Sequence, residues 1–462
     1  MGEHPNFNKM QKEQLLTPQL CFLYLLAFLD RANMGNAKIA GLTRDLNLTT
    51  AQFNATLTIF FVSYSVFEPL TNVLLKRYRP TVFLPVIMVM YGVTTIGMGF
   101  VKDWAGLMTA RFFLGLAEAG LFPGINYYLS CWYKRSEFGI RAAVFFSAAA
   151  ISGSFGGLVD VAIEQMDGLG GRPGWAWIFI IIGILTFTVG VLSVWMVSDF
   201  PAEAKFLSDE DRARVLARLR ADKQASAEPE ALDARYLKSA LTDWKTWLGM
   251  AIYMGTTVPL YAFSLFLPSI IHDLGWSTSL VSAQLYSVAP YVTAALVTVL
   301  VGFLADRLRT RGAFNIALSL IAAAGFAILL GSKQPAVQYV GTFLGAIGIY
   351  PCISNTVTWM ANNTEGVYRR GIVLGFVIGW GNLNGIISAN IYYSPPRYVE
   401  GHAIVLAFLL TFLFGGSLLM TVLLRLENRR RRLGKRDNWV EGKTPEQVRE
   451  MGDWNPEFIY TT

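Results

Sequence analysis

Apolar runs of about 20 residues recur twelve times along this chain, and that repetition decides what it can become. Their limits are 18–41, 55–75, 81–101, 106–131, 141–164, 175–197, 246–271, 279–305, 312–331, 336–360, 371–393 and 402–425. In lipid no water satisfies backbone N–H and C=O groups, so a spanning segment must be a helix or part of a closed barrel. Runs this long without strict alternation are helices, which predicts an all-α, polytopic membrane protein with 12 transmembrane helices. Composition agrees. Of 462 residues, 53% are hydrophobic and only 15% charged, more apolar surface than a water-soluble core can hide.

A net charge of +7 would suit nucleic acid if the basic residues clustered on a soluble surface, but they fall elsewhere. Lys76, Arg77 and Arg79, then Lys134, Arg135 and Arg141, then Arg307, Arg309 and Arg311, then Arg369 and Arg370 occupy the even-numbered loops. The odd-numbered loops hold single basic residues at most, such as Arg44, Lys102 and Arg172. Lys and Arg accumulate on the cytoplasmic side. The even loops, the central loop and both termini are therefore predicted inside, and no nucleic-acid partner is implied. The run RLENRRRRLGKR from Arg425 reads either as a solvated tail or as a contact to anionic lipid headgroups. The first 16 residues are polar and the first apolar run is long enough to span, so that run reads as a signal anchor. Asn47, in the sequon NLT of the first outer loop, is a candidate glycosylation acceptor. Cys21, Cys131 and Cys352 lie far apart in apolar runs, with neither a disulfide framework nor a metal-ligand spacing.

One long polar interval separates six spans from six. The expected organisation is an N-terminal tail over 1–17, a six-helix bundle over 18–197, a central cytoplasmic loop over 198–245, a second bundle over 246–425 and a cytoplasmic tail over 426–462. Within the interval, SDEDRARVLARLRAD starts acidic, ends basic and has helical apolar spacing, which predicts a surface helix at the membrane face. The halves echo each other, as parallel repeats do. Glu137 stands four residues before Arg141 after the fourth run, and Glu365 four before Arg369 after the tenth. The loop GFLADRLRTRG between the eighth and ninth runs answers NVLLKRYRP between the second and third.

Six plus six helices with G-x-x-x-D-R-x-x-x-R after the eighth run resemble the major facilitator superfamily. There this loop pins neighbouring helices together and helps gate the inner side. The resemblance gives that role to Gly302, Asp306 and Arg307: glycine for close approach, the charges for helix-end dipoles and neighbouring side chains. Glu137, Arg141, Glu365 and Arg369 are gating candidates in the repeated loops. The first-half copy departs from the pattern, with Asn72 and Lys76 where the family usually shows Gly and Asp. Within the superfamily the chain resembles the anion:cation symporter family, specifically its fungal allantoate, nicotinate and pantothenate permease branch. The stretches that carry this are FLDRANMGNAKIAGL, RFFLGLAEAGLFPGINYYLSCWY, FLPSIIHDLGWS, GIYPCISNTVTWMANN, GWGNLNGIISANIY and GDWNPEFIYTT. WAWIFIIIG departs, with Ala176 and Ile182 where related sequences commonly carry Arg and Glu.

An ionisable side chain at mid-bilayer costs about 2.5–3.5 kcal/mol on insertion scales and usually faces the bundle interior with a partner. Yet FLDRANMGNAKIAGL puts Asp30 and Arg31 side by side in the first span, with Asn33 close behind, and RFFLGLAE puts Arg111 and Glu118 seven residues apart in the fourth. Seven residues make about two helical turns, so this pair shares nearly one face. Glu68, towards the inner half of the second span, is the other mid-helix charge of the first half. Desolvation favours a neutral carboxyl group, and a nearby arginine favours the ionised one. An anion that occupies the arginine therefore promotes protonation of the acid and couples two cargoes. In related organic-anion transporters a helix-4 arginine is the expected carboxylate clamp and acids on helices 1 and 4 are the expected proton sites. The resemblance so assigns Arg111, Asp30 and Glu118, with Arg31 as a second substrate contact or gate and Asn33 beside it as a further contact.

The second half supplies uncharged polar groups: Trp380, Asn382 and Asn384 in the eleventh run, and Tyr350 and Asn355 in the tenth. Trp380 would stack on a flat ring, and Tyr350 or Asn384 would bond a carbonyl. The same asparagines and the glycines around them would equally bridge and pack helices. No Walker loop, dinucleotide fingerprint or zinc spacing appears, and His4, His272 and His402 sit at a terminus or near span ends. Neither an enzyme nor an ATP-driven pump is expected, nor any cofactor or metal. The expectation is a proton-coupled symporter of a small organic anion, monomeric, in the plasma membrane. Proton-driven efflux of an organic acid is the alternative, disfavoured because AAAISGSFGGLVD in the fifth span lacks the antiporter glycine-proline pattern. A non-transporting nutrient sensor would be expected to carry a longer tail.

Overall fold

The computed structural model describes residues 7–133, 135–221, 234–275, 280–393, 397–444, 447–448 and 451–462. Long helices follow the apolar runs: α1 (Phe7–Ile39), α2 (Thr50–Arg77), α3 (Pro80–Met98), α4 (Trp104–Glu118, continued by Leu121–Trp132), α5 (Arg135–Glu164) and α6 (Gly174–Met196). After the central interval come α7 (Trp244–Asp273), α8 (Leu280–Leu308), α9 (Gly312–Gly331), α10 (Pro335–Asn362), α11 (Val367–Leu383, continued by Gly385–Asn390) and α12 (Val399–Phe408, a π-helical stretch Leu409–Gly415, then Gly416–Arg432). Among the described residues, ten helical spans are long and apolar enough to cross a membrane. The other two, α1 and α2, cover the first two runs and bury polar side chains, including Asn33, Asn36, Asn54 and Glu68.

Local chemistry sets the helix ends. Thr49 and Gln52 form a reciprocal capping box at the start of α2. The Asp103 carboxylate accepts from the Gly106 N–H at 2.7 Å to open α4, and Asp243 accepts from the Lys245 N–H at 3.0 Å to open α7. Helices α3 and α10 start on proline, whose missing N–H is no loss in a first turn. Proline deeper in a span acts differently. Pro123 has no N–H for the carbonyl of Ala119, four residues back, and α4 is interrupted at Ala119 and Gly120.

Helices α1–α6 pack into one bundle and α7–α12 into the other, joined chiefly by α5 with α8 and α10, α2 with α11, and α1 with α7. At Gly302 the α5–α8 seam has no room for a side chain, since an added Cβ would overlap that of Ala143. Near the other end of the seam the Ser154 hydroxyl donates to the Val288 carbonyl at 3.3 Å. The same economy joins α1 to α7, where a Cβ on Gly35 would stand 2.5 Å from the Leu265 carbonyl oxygen.

In the central interval the acidic-to-basic stretch forms the helix Asp209–Ala221, as its spacing predicts, and a short helix Ala234–Thr242 leads into α7. The C-terminal segment differs most from expectation. Helix α12 runs on to Arg432, and Arg431 is neither solvated nor turned to headgroups. It is 5% exposed, and its guanidinium donates to the backbone carbonyls of Asp453, Asn455 and Phe458 at 3.0, 3.0 and 2.6 Å. Further on, the Thr461 carbonyl accepts from Trp359 Nε1 and Asn363 Nδ2, both at 2.8 Å, and the Arg311 N–H donates to the Thr462 carbonyl at 2.7 Å. Asp453, fully buried, ion-pairs with Lys245 and Arg369, while Asp243 pairs with the same two cations at 3.3 and 2.6 Å. Two acids and two bases compensate one another out of water, the condition under which buried charge is tolerated. The tail is thereby part of the second bundle.

Candidate functional site

The buried positions of α4's first segment are Leu107, Arg111, Leu114, Gly115, Ala117 and Glu118, which trace one helical face. Arg111 and Glu118 share that face, each 2% exposed. Between them Gly115 lets α4 touch α2, since an added Cβ would overlap the Ser63 hydroxyl and the Phe60 carbonyl. The Arg111 guanidinium carbon lies 5.4 Å from the centroid of the Phe60 ring, within cation–π range. The two helices run parallel. Trp104 Nε1 donates to the Gln52 carbonyl at 3.2 Å, and Gly120 abuts Thr71. With Gly115 beside Ser63 and Gly120 beside Thr71, Glu118 comes level with Phe67 and Glu68 on α2. Two buried carboxylates thus share one depth in the first bundle.

The side chains of Asp30 and Arg31 lie outside the described residues. Tyr24 and Phe28, just before them on α1, line the central cavity. Asn33, just after them, is fully buried, and neither of its amide atoms finds a hydrogen-bond partner among the described residues. Such orphaned amides are rare in native interiors and call for a ligand or water.

The cavity lies where the bundles meet. Its walls are Tyr24 and Phe28 of α1, Tyr64 of α2, Phe122 of α4, Phe146 of α5, Tyr253, Thr257, Leu260 and Tyr261 of α7, Ile353 of α10 and Asn382 of α11. Seven of these eleven are aromatic, with the polar points supplied by the tyrosine hydroxyls, Thr257 and Asn382.

The polar groups of α10 and α11 divide between this cavity and the packing around it. Asn382 lines the cavity. Its Oδ1 accepts from the Tyr261 hydroxyl at 2.5 Å, and its Nδ2 donates to Glu68 Oε2 at 3.2 Å across the seam. Asn384 is spent on its own helix, donating to the Trp380 carbonyl at 2.6 Å where α11 breaks. Tyr350, fully buried, shares a hydrogen bond of 3.0 Å with Ser264 inside the second bundle and is not a cavity wall. Trp380 is 41% exposed and lies about 200° round the helix from Asn382, so it does not stack over this cavity. Small residues earn their places sterically: a Cβ on Gly381 would overlap the Tyr253 ring, and one on Gly385 the Phe61 ring.

The loop after α8 closes one end of the seam. Asp306 ion-pairs with Arg311, the last arginine of its motif, whereas Arg307 is exposed. Arg311 in turn donates to Asn355 Oδ1 at 3.1 Å, so Asn355 belongs to this loop's network. Gly139, in the first turn of α5, sits against both Asp306 and Arg311 with no room for a side chain. Of the repeated acid and base pairs, Glu137 has its side chain outside the described residues, and Arg141 lies 4.0 Å over the Tyr133 ring. Arg369 pairs with Asp243 and Asp453, while Glu365 rests beside Gly452 of the tail.

Among the described residues, long apolar helices in two bundles, with aromatic walls and a buried carboxylate where the bundles meet, are the architecture of a multi-pass membrane transporter. The chain belongs to the Major Facilitator Superfamily, whose family model matches residues 20–389. It is 36% identical over 408 residues to an uncharacterized transporter of Schizosaccharomyces pombe, covering 87% of this chain and 81% of that one. It is 30% identical over 447 residues to a high-affinity nicotinic acid transporter of Saccharomyces cerevisiae, covering 96% and 83%. In fold it is similar to a bacterial homolog of the human lysosomal transporter Spinster, in an inward-facing and unoccupied conformation, with a TM-score of 0.66 at 14% identity over 90% of this chain and 98% of that one.

Proposed function

We propose that this protein is a proton-coupled symporter for a small organic anion, with Arg111 as the carboxylate clamp and Glu118 and Asp30 as the proton-carrying acids. The observation that carries the reading is the α4 face itself, which buries a guanidinium and a carboxylate two turns apart against α2 in the first bundle. Burying both costs free energy that packing alone would not retain. The planar guanidinium matches a carboxylate bidentately. An anion seated on Arg111 competes with the acids for its positive charge and so favours their protonation, and by reciprocity a bound proton favours the anion.

Arg31 and Asn33 add contacts on α1, and the orphaned Asn33 amide supports a ligand there. The aromatic walls favour a planar ring acid over an open-chain one, in keeping with the nicotinic acid transporter among the relatives. Gly302, Asp306 and Arg311 serve the gate at the basic loops, which with both termini face the cytoplasm. The protein works as a monomer in the plasma membrane. Uptake of radiolabelled nicotinate, at acid and at neutral external pH, in cells expressing Glu118→Gln or Arg111→Lys tests the scheme. Loss of acid stimulation in the first variant and weakened uptake in the second are expected, and wild-type behaviour in both would refute it.

A further inference from the structure

Glu68 has no part in the scheme above, yet it is a carboxylate buried to 2% exposure in a membrane span. Its Oε2 accepts a hydrogen bond of 3.2 Å from Asn382 in the other bundle. Asn382 is itself held, because the Tyr261 hydroxyl donates to its Oδ1. Flipping the amide would set its oxygen against the carboxylate oxygen, so an ionised Glu68 fixes the NH2 towards itself. The α11 backbone passes close by at position 379, where an added Cβ would stand in ordinary contact, 3.6 Å from Glu68 Oε2.

Building on the proton-coupled reading, we propose that Glu68 is a positioning residue that ties the bundles together: ionised, it holds α2 to α11 through Asn382, and protonated, it lets them part. A hydrogen bond to an ionised acceptor is roughly twice as strong as one to a neutral group. Separating the helices would also take this donor from a buried charged carboxylate, whereas a neutral carboxyl group gives it up at smaller cost. Since Asn382 also lines the cavity, the tie lies within reach of the cargo.

Neighbouring ionisable groups are placed as follows. From α4 come Glu118 at the same depth and Arg111 two turns away, then Tyr127, Tyr128 and Cys131 in the second segment. Helix α11 brings Arg369 and Arg370 at its basic end, where Arg369 is engaged by Asp243 and Asp453. Helix α3 brings Tyr91, and α7 brings Tyr253 and Tyr261. On α2 itself Tyr64 lies a turn before Glu68, and the side chains of Lys76 and Arg77 lie outside the described residues. Of the described carboxylates and bases on these helices, Glu118 shares the level of Glu68.

The test measures the distance between the bundles. Spin labels replace Tyr78 and Leu308, exposed positions on different bundles at the basic loops, in a protein lacking its native cysteines. Double electron–electron resonance is recorded in lipid nanodiscs at acid and at neutral pH. The wild-type distribution is expected to lengthen on acidification. Glu68→Gln is expected to lose that shift and to show the acid-type distribution at both pH values. Asn382→Ala removes the donor and leaves the acid, so it should lose the shift as well, and it stands in should Glu68→Gln fail to fold. A full pH shift retained in the folded variants, or none in the wild type, overturns the proposal. The readout needs neither a cargo nor a proton gradient, so its outcome is separable from that of the symport reading.

Discussion

Arg111 lies over the ring of Phe60, 5.4 Å from guanidinium carbon to ring centroid, and both residues belong to the first bundle. The proposed anion clamp is thus positioned by α2 and α4 together. Arg111→Lys keeps the charge but loses the planar fork and its stacking. Its KM for nicotinate uptake is expected to rise about 10-fold or more, the scale of one lost charged hydrogen bond. Arg111→Ala is expected to abolish uptake.

Glu118→Gln removes the acid and keeps its shape. Net uptake should no longer respond to external acid, while exchange of labelled for unlabelled cargo across preloaded vesicles should continue, because exchange needs no net proton movement. Measuring both in the same vesicles separates loss of coupling from loss of binding.

Gly302→Ala drives a methyl group into Ala143 at a point of the α5–α8 seam with no room for it. Overpacking of this kind costs about 1–3 kcal/mol. A lowered melting temperature and slower transport are expected, with partial recovery in the double variant Gly302→Ala, Ala143→Gly. Additive losses in that double-mutant cycle would show that the two sites do not touch.

Asp453→Asn leaves Lys245 and Arg369 sharing the single carboxylate of Asp243. Breaking a buried ion pair costs about 3–5 kcal/mol. A marked fall in thermal stability of the purified protein is expected, and removal of residues 451–462 should lower it at least as far. An unchanged melting curve in both would mean that the tail does not hold to the bundle in solution.

The spans were legible because lipid demands a continuous apolar run for each, so every helix announced itself locally. The shared face of Arg111 and Glu118 was legible for the same reason, being a matter of spacing within one helix. Helical spacing would also have separated Trp380 from Asn382, since residues two apart point to nearly opposite sides. Contacts between distant segments left no such trace. Glu68 meets Asn382 across 314 positions, and Asp453 meets Lys245 across 208. Read alone, the tail's polar sequence and the arginines of α12 look solvated. Of those arginines only Arg431 is buried, and the burial of the tail's Asp453 follows from Lys245 of α7 and Arg369 of α11, which the fold brings to it. An isolated acid such as Glu68 in an apolar helix was the one signal that pointed to a hidden partner, and it did not say which.

Accumulation against a gradient tests the coupling most directly. Wild-type protein is reconstituted into liposomes with the membrane potential clamped, and labelled carboxylate, the one that most raises the purified protein's melting temperature, is supplied outside at acid pH with the interior neutral. Transient accumulation above the outside concentration, abolished by a protonophore, is the expected result. Equilibration to the outside concentration and no further, with or without the protonophore, would contradict it.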